Sequence, residues 1–425
     1  MTMIDVWESI KPKTQTDSFV SLVKRDLIPT IGKENLVKIA KNYAVTKFTV
    51  YDGDDVTPPY TPTALIKEIT DKLTDVDFST AKFLVIYTVE WANYLHAIHG
   101  VPAENITLVG DSKRLEVGQF AGYNTIMDSD FLSAEFNQNE NMKFDVVVGN
   151  PPYNDGSINN TVLWDKFIVH KNLKSDNLVL VIPSSFLSQK FNGMSKSVKE
   201  SLMLRGCNAI VINDYSTFQN AKVKTCTVFC KSGHKGQVKL IDGVSKIEIM
   251  INLNEQNTLI FNPEHVDLVK RVEANSNGKH PKMLKWIDLS SHDKSKWAIG
   301  SYYKTEGFES NPLKAFKILD PSMGESNNYY VVFGIADTEE DAKILYEKLV
   351  SFWFSDIVQA YLILTRYSIS LDRTQYSYLP FVKIDHVFTN EEISSLWGIS
   401  TESVESAKIL TSNCHHKKNK NSVGM

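Results

Sequence analysis

The strongest constraint on the fold is a recurring unit in which a short, almost wholly apolar run is followed by a helical stretch. KFLVIYTV, NITLVGD, NTIMDSDFL, FDVVVG and NLVLVIPSSFL read as strands, and EWANYLHAIHG, SKRLEVGQFAGY, TVLWDKFIVHKNL and SKSVKESLMLRG read as helices among them. A strand wetted on one face alternates apolar with polar residues, whereas three consecutive valines need cover on both faces. Strands and helices alternating at this spacing predict an α/β fold with a doubly wound, mainly parallel sheet. NAIVIND, TCTVFCKS and QVKLID follow without helices between them and predict an antiparallel edge.

The alternation occupies residues 51–245 and defines a first domain. Residues 1–50 show helical periodicity in SFVSLVKRDLI and ENLVKIAKNYAV, and YDGDDVTPPYTP then breaks the pattern. TPTALIKEITDKL is an amphipathic helix for which Thr61 can act as N-cap, with Pro62 in the first turn. Residues 246–412 change texture to Lys- and Asn-rich loops and long helices, which predicts a second, α+β domain. Thr389 and Ser400 mark two capped helix starts there. Residues 413–425 form a basic tail with the composition of a disordered segment. A length of 425 residues suits two domains.

The turn after FDVVVG carries the chemistry. It reads Asn150-Pro151-Pro152-Tyr153. In an open parallel sheet, ligands bind beyond the carboxyl ends of the strands. Two prolines fix their own φ angles and force Asn150 to be extended. The result is a stiff turn offering the Asn150 side-chain oxygen and a main-chain carbonyl as acceptors, with the flat face of Tyr153 beside them. Two acceptors can hold both hydrogens of a planar amine and draw its lone pair out of conjugation. A stacked ring fixes the plane, so that the nitrogen can attack an electrophilic methyl in line. A base amine and a side-chain amide present the same geometry to such a turn.

Charge placement bears on the substrate. The net charge is −4, yet Lys190 to Lys239 holds nine Lys/Arg against Glu200 and Asp214, and Lys279 to Lys304 holds six lysines among Trp286, Trp297, Tyr302 and Tyr303. Basic stretches with aromatics suit a phosphate backbone and unstacked bases. Lys222, Lys224, Lys282, Lys285, Trp286 and Tyr302 within these stretches, and Arg373 further along the chain, are candidate DNA contacts. No apolar run is long enough to span a bilayer, and the N-terminus lacks a signal-peptide pattern. Four cysteines form neither a disulfide framework nor a metal-ligand pattern, which predicts a cytoplasmic chain with no bound metal.

Around Asn150 the sequence resembles the gamma-type adenine-N6 DNA methyltransferases of restriction-modification systems and phages. The resemblance covers about residues 55–245 in motif order, with a looser match in PFVKIDHVFTNEEISSLWGIS. It implies a Rossmann-like methyltransferase sheet with S-adenosylmethionine as cofactor, and Asn150, Pro151, Pro152 and Tyr153 holding a flipped-out adenine. Phe229 would stack on the other face of that base. Tyr60, Thr61 and Pro62 would lie against the methionine end of the cofactor, Asp111 would bind its ribose hydroxyls, and Asp130 and Phe131 would contact its adenine. The C-terminal domain would read the sequence of double-stranded DNA. The resemblance further implies a monomer in a bacterial or phage-infected cell, and a cognate restriction endonuclease is the partner such a system calls for.

The sequence departs from the family at the turn after the first strand, where a glycine-rich loop normally lets the backbone approach the cofactor. KFLVIYTVEWANYL has no glycine between Ala81 and Gly100. Two readings stay open here. The site is remodelled, with Glu90 taking the acidic role at the end of the first strand, or methyl-donor binding is lost and the chain is a DNA-binding or partner subunit. A protein glutamine N5-methyltransferase is the third alternative, since the tetrapeptide serves either amine.

Overall fold

A computed structural model describes residues 61–133, 143–155, 161–170, 174–187, 193–214, 217–218, 223–253, 266–275, 285–288, 296–302, 316–320, 329–365, 379–380 and 382–415. The described residues fall into two compact units. The first contains strands β1 (Phe83–Ile86), β2 (Ile106–Gly110), β3 (Asn124–Met127), β4 (Phe144–Gly149), β5 (Ser175–Pro183), β6 (Cys207–Ile212), β7 (Thr225–Lys231), β8 (Val238–Asp242) and β9 (Glu248–Ile251). Helices α1 (Thr63–Thr70), α2 (Val89–Ile98), α3 (Ser112–Ala121), α4 (Asp128–Phe131), α5 (Trp164–Val169) and α6 (Gly193–Leu204) join them.

Among the described residues the nine strands form one sheet in the order β3-β2-β1-β4-β5-β7-β6-β8-β9. β3, β2, β1, β4 and β5 run parallel, and β7 is antiparallel to both β5 and β6. This is a doubly wound, mainly parallel Rossmann-like sheet. The antiparallel strand β7 lies inside the sheet rather than at its edge. Its sequence explains the position, because TCTVFCK is buried along nearly its whole length and needs a neighbour on each side. β9 supplies an antiparallel edge, and its residues alternate between exposed and half-buried. NTIMDSDFL splits after Met127, since Asp and Ser hydrogen-bond their own backbone and favour a turn over a strand.

Alternation along the strands sorts the core. Phe83, Val85, Val146, Val148, Val179 and Val181 face one side, where Ile66, Ile69, Trp91, Leu95 and Leu115 of α1, α2 and α3 complete one cluster. Leu84, Val147, Leu180 and Val228 point the other way and are equally buried, so the sheet is covered on both faces. Each such side chain contributes roughly 1.5–3 kcal/mol relative to exposure, which fixes strand register firmly.

The second unit contains α7 (Val266–Ala274), β10 (Lys285–Asp288), β11 (Trp297–Tyr302), β12 (Lys317–Leu319), β13 (Tyr329–Ala336), α8 (Glu339–Trp353), α9 (Asp356–Thr365), α10 (Asn390–Trp397) and α11 (Thr401–His415). The strands form an antiparallel sheet ordered β10-β13-β11-β12. Phe333 links that sheet to α8 by an edge contact with Trp353, their ring centroids 5.0 Å apart. α10 begins with a capping box between Thr389 and Glu392 and ends at Gly398 in the left-handed region. The Ser400 hydroxyl accepts from the Ser403 N–H at the start of α11.

Candidate active site

The tip of β4 is built on a close approach. A Cβ placed on Gly149 would meet the Ile86 carbonyl oxygen at 2.4 Å, so only glycine lets β4 lie this near to the end of β1. The Asn150 N–H then donates to the Ile86 carbonyl at 3.2 Å. Pro151 and Pro152 are buried. The chain turns back so that the Leu163 N–H donates to the Tyr153 carbonyl at 3.0 Å and Asn154 bridges Val162. Asn150 is therefore fixed by its backbone on both sides.

Its side chain is also held. Asn150 Nδ2 donates to Thr61 Oγ1 at 3.2 Å, and the Thr61 N–H donates to Glu90 Oε1 at 2.9 Å. Thr61 does not cap α1. Pro62 occupies the cap position with no side-chain bond, which leaves the Thr61 hydroxyl for Asn150. Asn150 is 1% exposed, and its Oδ1 has no hydrogen-bond partner. A buried acceptor left unpaired costs about 1–3 kcal/mol, so this oxygen is poised for a donor. Glu90 sits in the first turn of α2, where burial pushes its carboxyl upward while the Thr61 N–H and the positive charge of Arg114 oppose the shift.

Tyr153 is half-buried, with its hydroxyl inward near the Asn150 amide and the Cys226 thiol. Burial raises its phenol far above the ordinary range. Phe229 lies elsewhere. It is mid-strand in β7, opposite Val179, packed on the same core cluster as Val179 and Val181, with the Lys72 ammonium 5.4 Å from its ring centre. Cys226 and Phe229 are three residues apart on one strand and so point to opposite faces. The structure does not bring Phe229 to Tyr153.

At the tips of β1, β2 and β3 the side chains satisfy one another. Tyr87 fills the place of the glycine turn and adopts φ 62°, a left-handed conformation rare for an aromatic residue. Its N–H donates to the Val109 carbonyl at 2.8 Å, and its hydroxyl donates to the Asp128 carboxylate. Its carbonyl accepts from Arg114 Nε at 3.0 Å, and its ring stacks under that guanidinium at 4.9 Å. Arg114, on α3 and buried, also pairs with Asp111. Asp111 in turn caps α3 by accepting from the Arg114 N–H at 2.9 Å, and its side chain keeps 35% exposure. Asp130 is exposed. Phe131 is fully buried, stacked 5.9 Å from Phe167 and 4.9 Å from His170.

Tyr87, Arg114 and Asp128 are members of this cluster that the motif order did not point to. The three-residue spacing of Asp111 and Arg114 was the available signal, but such a pair usually marks a solvated helix start. Of the candidate DNA contacts, Lys285 and Trp286 lie on β10 opposite Val332 and Val331, Tyr302 lies on β11 opposite Tyr330, and Lys224 precedes β7. Tyr60, Lys222, Lys282 and Arg373 lie outside the described residues. Among the described residues no group of three His, Cys, Asp or Glu is arranged to hold a metal ion, and no helix is long and apolar enough to cross a membrane. Cys207, Cys226 and Cys230 are free and buried.

No curated protein matches the chain. Among solved structures, the methyltransferase subunit of a type I restriction-modification system from Streptococcus thermophilus aligns at 17% identity and TM-score 0.39, over 51% of this chain and 55% of that one. A modification subunit of a putative type I restriction enzyme from Vibrio vulnificus aligns at 16% identity and TM-score 0.35, over 53% of each chain. The type IIG restriction endonuclease BpuSI aligns at 10% identity and TM-score 0.44, over 90% of this chain and 70% of its own. The chain thus spans about half the length of the first two. A family model matches residues 117–220, which run from α3 through the Asn150 turn to the segment before β7. That segment matches the model of the Eco57I restriction-modification methylase family.

Proposed function

We propose that this chain transfers a methyl group from S-adenosylmethionine to the N6 amine of an adenine in double-stranded DNA. The observation that carries the proposal is Asn150 Oδ1, a buried acceptor without a partner at the carboxyl end of β4. Asn150 Oδ1 and a main-chain carbonyl of the Pro-Pro turn would accept the two amine hydrogens, and the half-buried Tyr153 ring would stack on the base. The adenine has to leave the duplex to reach this depth. Asn150 then holds the nitrogen lone pair out of the ring system, and no strong base is needed before attack.

The residues present fit the methyl donor in the chemistry of their acceptors. Glu90 is a half-buried carboxylate that pairs with no cation among the described residues, and a sulfonium or ammonium group compensates such a charge. Asp111 has carboxylate lone pairs left beyond its bonds to Arg114, which suits a ribose diol. Thr61, Pro62, Asp130 and Phe131, with Tyr60, would complete the cofactor contacts. When bound, the donor supplies an electrophilic methyl.

Residues 51–245 would form the catalytic domain, and residues 246–412 would recognise the DNA. Lys222, Lys224, Lys282, Lys285, Trp286, Tyr302 and Arg373 are the first candidates for those contacts. The setting would be the cytoplasm of a bacterium, with the chain acting as a monomer beside a cognate restriction endonuclease. Incubation with methyl-labelled S-adenosylmethionine, followed by digestion of the DNA to nucleosides, tests the reading. Label in N6-methyl-2′-deoxyadenosine is the expected result. Label in protein glutamine would point to the amide substrate instead, and no transfer together with no donor binding would leave a DNA-binding or partner subunit.

A further inference from the structure

The side-chain amide of Asn150 can rotate by half a turn about its last torsion, exchanging oxygen and nitrogen at almost no cost in shape. One orientation presents an acceptor to an incoming amine, and the other presents an NH2 that repels it. Something beyond packing has to choose between them, and the neighbours of Asn150 do so. We infer that Glu90 and Thr61 are positioning residues that set the orientation of the Asn150 amide, a role that rests on the proposed methyl transfer for its purpose but not for its geometry.

The argument runs from the carboxylate outward. Glu90 offers acceptors only. It receives the Thr61 N–H at 2.9 Å, which pins the start of α1 to the first turn of α2. The Thr61 hydroxyl lies against the same carboxylate, and a hydroxyl beside a carboxylate turns its hydrogen toward it. Its lone pairs are then all that Thr61 Oγ1 has to offer on the other side. Asn150 meets Oγ1 at 3.2 Å, and it meets it through Nδ2. The opposite rotamer would set a carbonyl oxygen against a hydroxyl oxygen whose hydrogen is already committed. Glu90 thus dictates, through Thr61, that Asn150 Oδ1 faces away from Thr61, and that oxygen is the one without a partner. Thr61 is itself fully buried, so water cannot substitute for its hydroxyl without opening the site. The chain of bonds joins residues 61, 90 and 150, which come from three separate elements, and so it also registers the β4 turn against the β1–α2 turn.

The experiment uses the full chain labelled with 15N-asparagine and needs no ligand. The Asn150 side-chain signals are assigned by their loss in Asn150→Ala. In the wild type the Nδ2 hydrogen bonded to Thr61 exchanges slowly with solvent. Thr61→Val removes the hydroxyl with little change in volume, and exchange of that hydrogen should accelerate on the order of tenfold, the loss of one hydrogen bond. Thr61→Ser should restore protection. Undiminished protection in Thr61→Val, with a folded protein by circular dichroism, overturns the inference. On methylation, Thr61→Val should lower kcat measured at saturating donor by about tenfold, beyond any weakening of donor binding. An unchanged kcat at saturating donor, with only the affinity for S-adenosylhomocysteine reduced by calorimetry, would confine Thr61 to donor contact and also overturn it. Should the wild type methylate nothing while the exchange pattern behaves as stated, the relay stands and the proposed methyl transfer falls.

Discussion

The carboxyl edge of the large sheet has two halves that solve opposite problems. At the β4 tip a buried acceptor, Asn150 Oδ1, is left without a partner, although the backbone around it is tied on both sides. At the β1, β2 and β3 tips, Tyr87, Asp111, Arg114 and Asp128 satisfy one another. The first half is preorganised and incomplete, so an incoming hydrogen-bond donor gains a bond there without displacing one. The second half is complete, so a ligand must share or exchange existing partners. Rigidity and readiness are therefore separate properties on one edge, and the glycine-free turn gives rigidity to the β1 side.

The largest effect should come from Asn150→Ala. Removing the acceptor should lower methylation on the order of a thousandfold, with donor affinity and thermal stability little changed. Activity within tenfold of wild type would remove the basis for calling the β4 half the reacting one. Arg114→Ala breaks the other half. It leaves the Tyr87 carbonyl and the Asp111 carboxylate without their buried partner, and urea denaturation should show a loss of about 3 kcal/mol. A loss below about 1 kcal/mol would mean that the cluster is not the self-supporting unit described.

Glu90→Gln sharpens the comparison through pH. Burial holds the Glu90 carboxyl above its unfolded value, which means the charged form weakens the fold. Its contribution to stability is complete below the unfolded carboxyl range, near pH ~4, and is lost as pH rises through the folded value. Glutamine has no such dependence. The variant should therefore gain on wild type as pH rises, in melting curves taken across that range. A gap that shrinks with rising pH contradicts the burial argument. Tyr87→Phe is the mildest change. Losing the bond to Asp128 should cost about 1 kcal/mol or less, and a larger loss would show that this hydroxyl, rather than Arg114, holds the turn.

Much of this could be read from the chain alone. Strand-helix alternation, the double cover on Val146, Val147 and Val148, and the turn at Asn150 are local signals, and each appears where the pattern put it. What escaped was tertiary. Nothing local tells a helix-start arginine that it will be buried, and Arg114 became so only because Tyr87 of another turn comes under it. The place of β7 between β5 and β6 needed its burial on both sides to be weighed above its lack of a preceding helix. Phe229 was an aromatic in a buried strand, and its face depends on a parity that has no meaning until Cys226 is known to lie near Tyr153. Thr61 looked like a helix cap because Thr before Pro often is one, and the hydroxyl was instead spent on Asn150.

Gly149 has a consequence for how this chain could be mapped by mutation. Every side chain, including a single methyl, collides there with the main-chain oxygen of Ile86, an atom that no rotamer change can move aside. A saturation scan scored on activity would return position 149 as intolerant of all substitutions, indistinguishable in that readout from Asn150 beside it. Scored on folded abundance, the two should part, with 149 depleted and 150 retained. The pair is thus a built-in calibration, one neighbour reporting space and the other reporting chemistry.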